Sequence, residues 1–129
     1  MYKVDVDKQD ALIDLVMDGH IRQDEMRQLG LELRFVIRKL SGRDIKVRAD
    51  MRTLHTSSPE VAEMLADVLR FAYQHGVKRM AELVESPLLL LQLRRLARES
   101  GAEHMLRQFG DDRTARQWLF QGDGAALSA

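Results

Sequence analysis

Between residues 45 and 65 the spacing of apolar residues changes from every second residue to a helical repeat. The first half alternates charged residues with the apolar residues Ile45, Val47, Ala49 and Met51, the pattern of a β-strand with one buried face. The polar sequence Thr56-Ser57-Ser58-Pro59 follows, and an amphipathic helix begins there. Serine is a preferred N-cap, and proline suits the first helical turn. We therefore predict a strand that leads directly into a helix N-terminus, where α/β folds usually place their functional groups.

The same two spacings, followed along the chain, predict the order β-β-α-β-α-β-α-β-α. Strands are predicted at residues 2–6, 11–17, 45–54, 77–84 and 102–109, and helices at 23–40, 59–75, 87–101 and from Asp111 or Asp112 onward. The first two strands form a hairpin, and each later strand follows a helix. Right-handed crossovers then give an α/β fold with a mainly parallel five-stranded sheet and an antiparallel opening hairpin.

The composition is typical of a globular protein, and we predict a single domain over residues 1–121 with a flexible C-terminal tail at 122–129. Acidic and basic residues number 20 each, so no net charge attracts nucleic acid. The chain has no cysteine, which excludes disulfides and thiolate chemistry and is typical of a reducing compartment. The longest apolar run, Leu88 to Leu91, is too short to span a membrane. A cytoplasmic location is predicted.

Motifs for catalysis and for metal binding are missing from the sequence. The four histidines, His20, His55, His75 and His104, lack the paired spacing of metal ligands. No nucleophile elbow, phosphate-binding loop or dinucleotide fingerprint is present. We therefore predict no metal, no cofactor and no enzymatic activity, and a function that depends on binding.

Three arginines of the third helix, Arg94, Arg95 and Arg98, lie on one flank of that helix, and Arg70 and Arg79 are candidates to join them. Such a cluster can contact an anionic ligand, a lipid headgroup or an acidic partner. The alternative is a solvated helix face that neighbouring carboxylates neutralise.

Two apolar features have open interpretations. The run Leu88 to Leu91, with Leu93 and Leu96, is more apolar than one buried stripe requires, so it is core, a wall of a pocket for an acyl chain, or a dimer face. Leu31 and Phe35 lie four residues apart, off the main stripe of the first helix. They are either core or a docking surface.

This order of elements resembles the STAS domain, the fold shared by anti-sigma-factor antagonists and the cytoplasmic tails of sulfate transporters. In the antagonists, the strand before the second helix ends in Asp-Ser-Ser-Gly, and a partner kinase phosphorylates the second serine. The matching stretch here has Thr56 in place of the acidic residue and Pro59 in place of the glycine. The resemblance therefore implies that Ser58 is a phosphoacceptor, with Ser57 beside it. The alternative is that both serines only cap the helix and turn the chain.

The C-terminal region is similar to the bacterial branch described as STAS-like or SpoIIAA-like, which is related in fold to CRAL-TRIO lipid-binding domains. The similarity rests on Phe109-Gly110-Asp111-Asp112 and on the helix Ala115-Arg116-Gln117-Trp118-Leu119. Together with the resemblance to the antagonists, it implies a regulatory module that binds a protein partner, such as a kinase or an anti-sigma factor. A further possibility is a structural subunit whose apolar helix faces mediate self-association, as in a homodimer. The alternative is a carrier or sensor of a small apolar or lipid-like ligand.

Overall fold

A computed structural model describes residues 1–123, so the predicted tail lies, from residue 124 onward, outside the described range. Five strands form one sheet in the order β1-β2-β3-β4-β5. They are β1 (Tyr2–Asp7), β2 (Leu12–Gly19), β3 (Ile45–Leu54), β4 (Val77–Leu83) and β5 (Leu106–Phe109). β1 pairs antiparallel with β2, and every other pairing is parallel. The predicted α/β fold, with its mainly parallel sheet and antiparallel hairpin, is confirmed.

Within residues 1–123, four α-helices connect and cover these strands: α1 (Gln23–Lys39), α2 (Pro59–Gln74), α3 (Pro87–Ser100) and α4 (Asp112–Gln121). The side chains of Ser58, Ser86 and Asp111 cap α2, α3 and α4. Each accepts a hydrogen bond from the backbone N–H three residues later, at 3.3, 3.3 and 2.8 Å. These bonds satisfy N–H groups that have no partner within the first helical turn. Pro59 and Pro87 follow the two serines and favour a helical start.

The predicted strand at residues 102–109 is wrong in its first half. Glu103–Met105 form a short 3-10 helix, and β5 begins only at Leu106. The N–H of Ala102 donates to the carbonyl of Ala97 at 3.2 Å and closes α3, and the N–H of Met105 donates to the carbonyl of Ala102 at 3.1 Å. The two buried residues, Ala102 and Met105, are three positions apart, which is the spacing of a 3-10 turn and not of a strand.

The helices cover the two faces of the sheet unequally. α1, α2 and α3 pack side by side on one face, and the larger core lies beneath them. α4 packs on the opposite face against β3, β4 and β5. The smaller core there consists of Leu12, Ala81, Leu83, Ala115, Trp118 and Leu119. Because β2, β3 and β4 are parallel, their carboxyl ends and the N-termini of α1, α2 and α3 meet at one edge of the sheet.

In the part of the chain that the structure describes, one ionisable side chain, Glu82 of β4, is fully buried. It alternates with Ala81 and Leu83, which belong to the smaller core, so it points toward the α1–α3 side. Its Oε1 accepts a hydrogen bond from Gln108 Nε2 at 2.7 Å. Within the described residues its Oε2 has no partner. Burial raises the pKa of Glu82 to about 7, against the opposing effect of the hydrogen bond from Gln108.

None of the helices in the described part of the chain has the length and apolar content that a membrane crossing needs.

Candidate functional site at the β3–α2 junction

The four residues between β3 and α2 form an irregular, solvent-facing junction. β3 ends at Leu54, α2 begins at Pro59, and the residues between them belong to neither element. Thr56 and Ser58 are exposed, as is Pro59, and Ser57 is partly buried. Ser58 therefore lies at the protein surface where the predicted helix begins, whereas Ser57 beside it is partly covered.

Gln92 of α3 holds this junction in place. The backbone N–H of Ser57 donates to Gln92 Oε1 at 2.8 Å, and Gln92 Nε2 donates to the carbonyl of Ser57 at 2.9 Å. One side-chain amide thus satisfies both backbone groups of Ser57, as a neighbouring strand would. The sequence reasoning missed Gln92, and its only signal was a polar residue within a leucine-rich run. The contact fixes the backbone immediately before Ser58.

Ser58 combines exposure with a position at the positive end of a helix dipole. Its Oγ accepts a hydrogen bond from the N–H of Val61 at 3.3 Å, while its own hydroxyl hydrogen is free to be donated or replaced. Backbone N–H groups and the dipole favour negative charge at this end of α2. The exposed carboxylate of Glu60 lies in the same turn and opposes further negative charge. The helix N-terminus and Glu60 therefore act in opposite directions on a negative charge placed at Ser58.

A groove of about 560 Å³ runs between α2 and α3, beginning at Ser57. Ala62, Ala66 and Leu96 form its apolar floor, and charged side chains of both signs form its rims. At the rims, the guanidinium of Arg70 donates to Asp67 Oδ1 at 2.9 Å and to the carbonyl of Glu99 at 3.2 Å. The groove therefore offers apolar contact area directly beside the β3–α2 junction.

The structure does not bring all the candidate arginines together. Arg95 faces the α2–α3 groove near Arg70 and forms an ion pair with Glu99 at 2.8 Å. Arg94 and Arg98 lie on the other side of α3, in a small pocket beside β5. The side chain of Arg79 lies under α4, where it donates to the carbonyl of Leu119 at 2.9 Å. The arginines of α3 thus contribute to two separate surfaces.

Two histidines that the sequence separates meet beside the junction. His20 follows β2, His55 follows β3, and the Nε2 of the first lies 2.9 Å from the Nδ1 of the second. Their rings pack edge to face, with centroids 4.2 Å apart. At this distance one of the two ring nitrogens carries a hydrogen and donates it to the other. Across residues 1–123, no group of three or more metal-ligating side chains comes together.

The leucine-rich run of α3 divides between core and surface. Leu89, Leu93 and Leu96 are buried in the larger core. Leu88 and Leu91 are 71% and 63% exposed. Leu90 is partly buried and packs against the same core, so core packing accounts for four of the six leucines and two remain at the surface.

Several solved structures share this fold with the chain. The first is a protein of the DUF3478 family with a SpoIIAA-like fold from Shewanella loihica PV-4, with 18% identity, 92% of each chain covered and a TM-score of 0.69. The Bacillus cell fate determinant SpoIIAA in its phosphorylated form has 13% identity, covers 91% of this chain and 98% of its own, and gives a TM-score of 0.62. An anti-sigma factor antagonist from Mycobacterium paratuberculosis has 11% identity, covers 94% and 96%, and gives 0.61. At sequence identities of 11% to 18%, these structural similarities are evidence of a shared fold alone.

No curated protein matches the sequence. The model of one family, SpoIIAA-like, matches residues 12–120, which contain β2 through most of α4 and the whole serine junction. Since that match extends over most of the chain and agrees with the observed fold, the protein belongs to the SpoIIAA-like family.

Proposed function

We propose that this protein is a non-catalytic regulatory module that binds a protein partner through the β3–α2 junction and the first turns of α2. The observation that carries the proposal is the exposed hydroxyl of Ser58 at a helix N-terminus, beside an open groove and on a backbone held by Gln92. The fold shared with an anti-sigma factor antagonist and with phosphorylated SpoIIAA supports it. The partner is a kinase or an anti-sigma factor.

Phosphorylation of Ser58 is the proposed switch. A partner kinase would supply a nucleoside triphosphate, Ser58 Oγ would bond to the γ-phosphorus, and the diphosphate and the hydroxyl proton would leave. The product carries roughly two negative charges at pH 7. Because Gln92 already fixes the backbone before Ser58, we expect the modification to change the charge of the surface more than its shape. A partner docked over the junction would therefore lose affinity.

The test compares Ser58→Glu with Ser86→Glu in the full chain, expressed in its own cell. Ser86 is the matched control because it caps α3 with the same geometry and precedes a proline in the same way. We expect cross-linking and mass spectrometry to identify a partner that the wild-type chain and Ser86→Glu both retain and Ser58→Glu loses. Phosphopeptide mapping should find phosphate on Ser58. Unmodified Ser57 and Ser58 in every growth condition, with an identical partner set for both variants, would show the proposal to be wrong.

The apolar floor of the α2–α3 groove favours a second candidate function, the carriage or sensing of a small apolar or lipid-like ligand. Its volume, about 560 Å³, lies in the range of ligand sites in proteins. Native mass spectrometry of the purified chain should then find a co-purifying small molecule that Ser58→Glu does not release. A bare chain from several expression hosts would exclude this candidate.

A further inference from the structure

The outer face of α1 carries two exposed apolar side chains, apart from the α2–α3 groove. Leu31 and Phe35 are each 63% exposed and lie one helical turn apart. α2 separates them from the groove beside Ser57. We name Leu31, Phe35 and the grooves on their two sides the α1 surface. Two large apolar side chains at helical spacing in solvent are typical of a docking site for another helix.

A groove of about 430 Å³ lies next to Phe35, between α1 and the opening hairpin. Val6, Val36 and Leu40 form its apolar part. An apolar cavity of about 150 Å³ accommodates benzene, so this groove can receive a large apolar side chain. On the other side of Leu31, a smaller groove of about 190 Å³ separates α1 from α2. On the α1 surface, protruding side chains therefore alternate with grooves, as they do on surfaces that bind a helix.

Cations surround this apolar pair. Lys8, Lys39 and Arg43 line the larger groove, and Arg27 and Arg34 line the smaller one. Among the described residues, none of these five lies within 4.0 Å of a carboxylate. Of the nearby acids, Glu32 accepts a hydrogen bond from the hydroxyl of Tyr2, and Asp67 is paired with Arg70. Arg43 donates to the backbone carbonyls of Lys8 and Gln9, and Lys39 Nζ lies 5.4 Å from the centroid of the Phe35 ring. These contacts leave the charge of both side chains in place, so the surface has an excess of positive charge.

This charge restricts what can bind. A second copy that used the same face would bring the two sets of cations together, and like charges across an interface oppose binding. The occupant must therefore carry negative charge. The hollows beside Leu31 and Phe35 favour a protein segment, whose side chains can enter them, over the level face of a bilayer.

We propose that the α1 surface binds an amphipathic helix of a partner protein whose apolar stripe is flanked by aspartate and glutamate. Its apolar side chains would pack against Leu31 and Phe35, with one entering the groove beside Phe35. Its carboxylates would pair with Arg27, Arg34 and Lys39. This contact is separate from the proposed switch at Ser58, so the protein has two binding surfaces and can hold two partners at once.

The test is a titration of the isotope-labelled full chain with two synthetic helical peptides of about 20 residues. Both peptides carry the same leucine stripe, flanked by glutamate in one and by lysine in the other. We expect the glutamate peptide to shift amide resonances around Leu31 and Phe35, and the lysine peptide to leave them unchanged. Replacing both Leu31 and Phe35 by serine should weaken binding by roughly tenfold or more, and Lys39→Glu should weaken it further.

The exposed leucines of α3 provide the matched control. Replacing Leu88 and Leu91 by serine removes the same kind of side chain from a different helix, and should leave binding unchanged. Equal binding of the two peptides, shifts confined to the α2–α3 groove, or equal losses in both double variants would each overturn the proposal. Vesicles of phosphatidylglycerol and phosphatidylcholine test the remaining alternative. If these vesicles bind through Leu31 and Phe35 and the glutamate peptide does not bind, the occupant is a membrane and the proposal is wrong.

Discussion

At the level of single residues, Ser58 and Ser86 have the same structural role at different places. Both are N-caps, both accept one backbone hydrogen bond at 3.3 Å, and both precede a proline. The two junctions differ in what surrounds them, because Gln92 binds the backbone beside Ser58. A comparison of the two serines therefore separates helix capping from any function that belongs to the β3–α2 junction.

Replacing either serine by alanine removes the capping oxygen. We expect Ser58→Ala and Ser86→Ala each to lower the free energy of unfolding by about 1 kcal/mol, since the first-turn N–H loses its partner. Urea denaturation monitored by circular dichroism measures both values. A loss at Ser58 several times larger than at Ser86 would contradict a simple capping contribution there.

Replacing Gln92 by alanine removes both hydrogen bonds to Ser57. We expect the Ser57 amide to exchange with solvent much faster in Gln92→Ala, because its only partner among the described residues is the Gln92 side chain. Hydrogen exchange followed by mass spectrometry or NMR measures this rate. Val61 is the internal reference, since its N–H is bound by Ser58 Oγ and should change little. Equal protection of Ser57 in the two proteins would show that the amide contact does not form in solution.

At the level of elements, an ion-pair network ties α4 to the sheet. Arg48 of β3 donates to Asp112 of α4 at 2.5 Å and to Asp14 of β2 at 3.3 Å, and its side chain is only 12% exposed. Burial opposes ionisation of Asp112, but the hydrogen bonds from Arg48 and Arg116 outweigh it and hold the pKa of Asp112 below its ordinary value. Arg48 thus links β2, β3 and α4 on the face of the sheet that α4 covers.

The contribution of this network can be measured with two arginine variants. We expect Arg48→Met to lower the free energy of unfolding by about 2 kcal/mol, because two carboxylates lose a charged donor in a partly buried place. Arg116→Met is the control, since Arg116 also bonds Asp112, at 3.0 Å, but is 45% exposed. It should change stability by less than about 1 kcal/mol. Similar losses in the two variants would show that burial does not strengthen the Arg48 contacts.

The sequence predicts elements better than it predicts contacts between them. The two-residue spacing in β3 and the serine-proline starts of α2 and α3 are local signals, and all three elements follow them. His20 meets His55, and the backbone of Ser57 meets Gln92, across 35 positions of sequence in each case. The first contact depends on the register of β2 against β3, and the second on how α3 packs beside α2. No local pattern contains either. The 3-10 turn before β5 was missed because it contains a single pair of buried residues, Ala102 and Met105, and one pair is too short a pattern to identify a turn before its burial is known.

At the level of the whole molecule, the buried carboxyl of Glu82 links stability to pH. Its pKa is about 7 in the folded chain, against an ordinary value of 4.5. Between these two values the folded state holds a proton that the unfolded chain has lost. Stability from this group is therefore fully present below about pH 4.5 and falls as pH rises to about 7. The decrease is on the order of 3 kcal/mol.

Glu82→Gln removes the ionisable carboxyl, and with it the difference in proton binding between the folded and the unfolded chain, while keeping the size of the side chain. We expect the difference in unfolding free energy between about pH 5 and about pH 8 to shrink by roughly 2 to 3 kcal/mol relative to the wild-type chain. Denaturant titrations at the two pH values give this difference directly, whatever the absolute stability of the variant. If the two proteins have the same pH dependence, Glu82 ionises as an exposed glutamate does.

The strand order of the sheet is also its chain order, from β1 to β5. Each strand after β1 therefore pairs with the strand synthesised before it, and no more than one α-helix separates the two along the chain. As the chain leaves the ribosome, the sheet can grow by adding one strand at a time to its newest edge. The face of the sheet beneath α4 is covered last, because Ala81 and Leu83 stay exposed until that helix emerges. During synthesis, that face is the one on which a chaperone would find apolar surface longest.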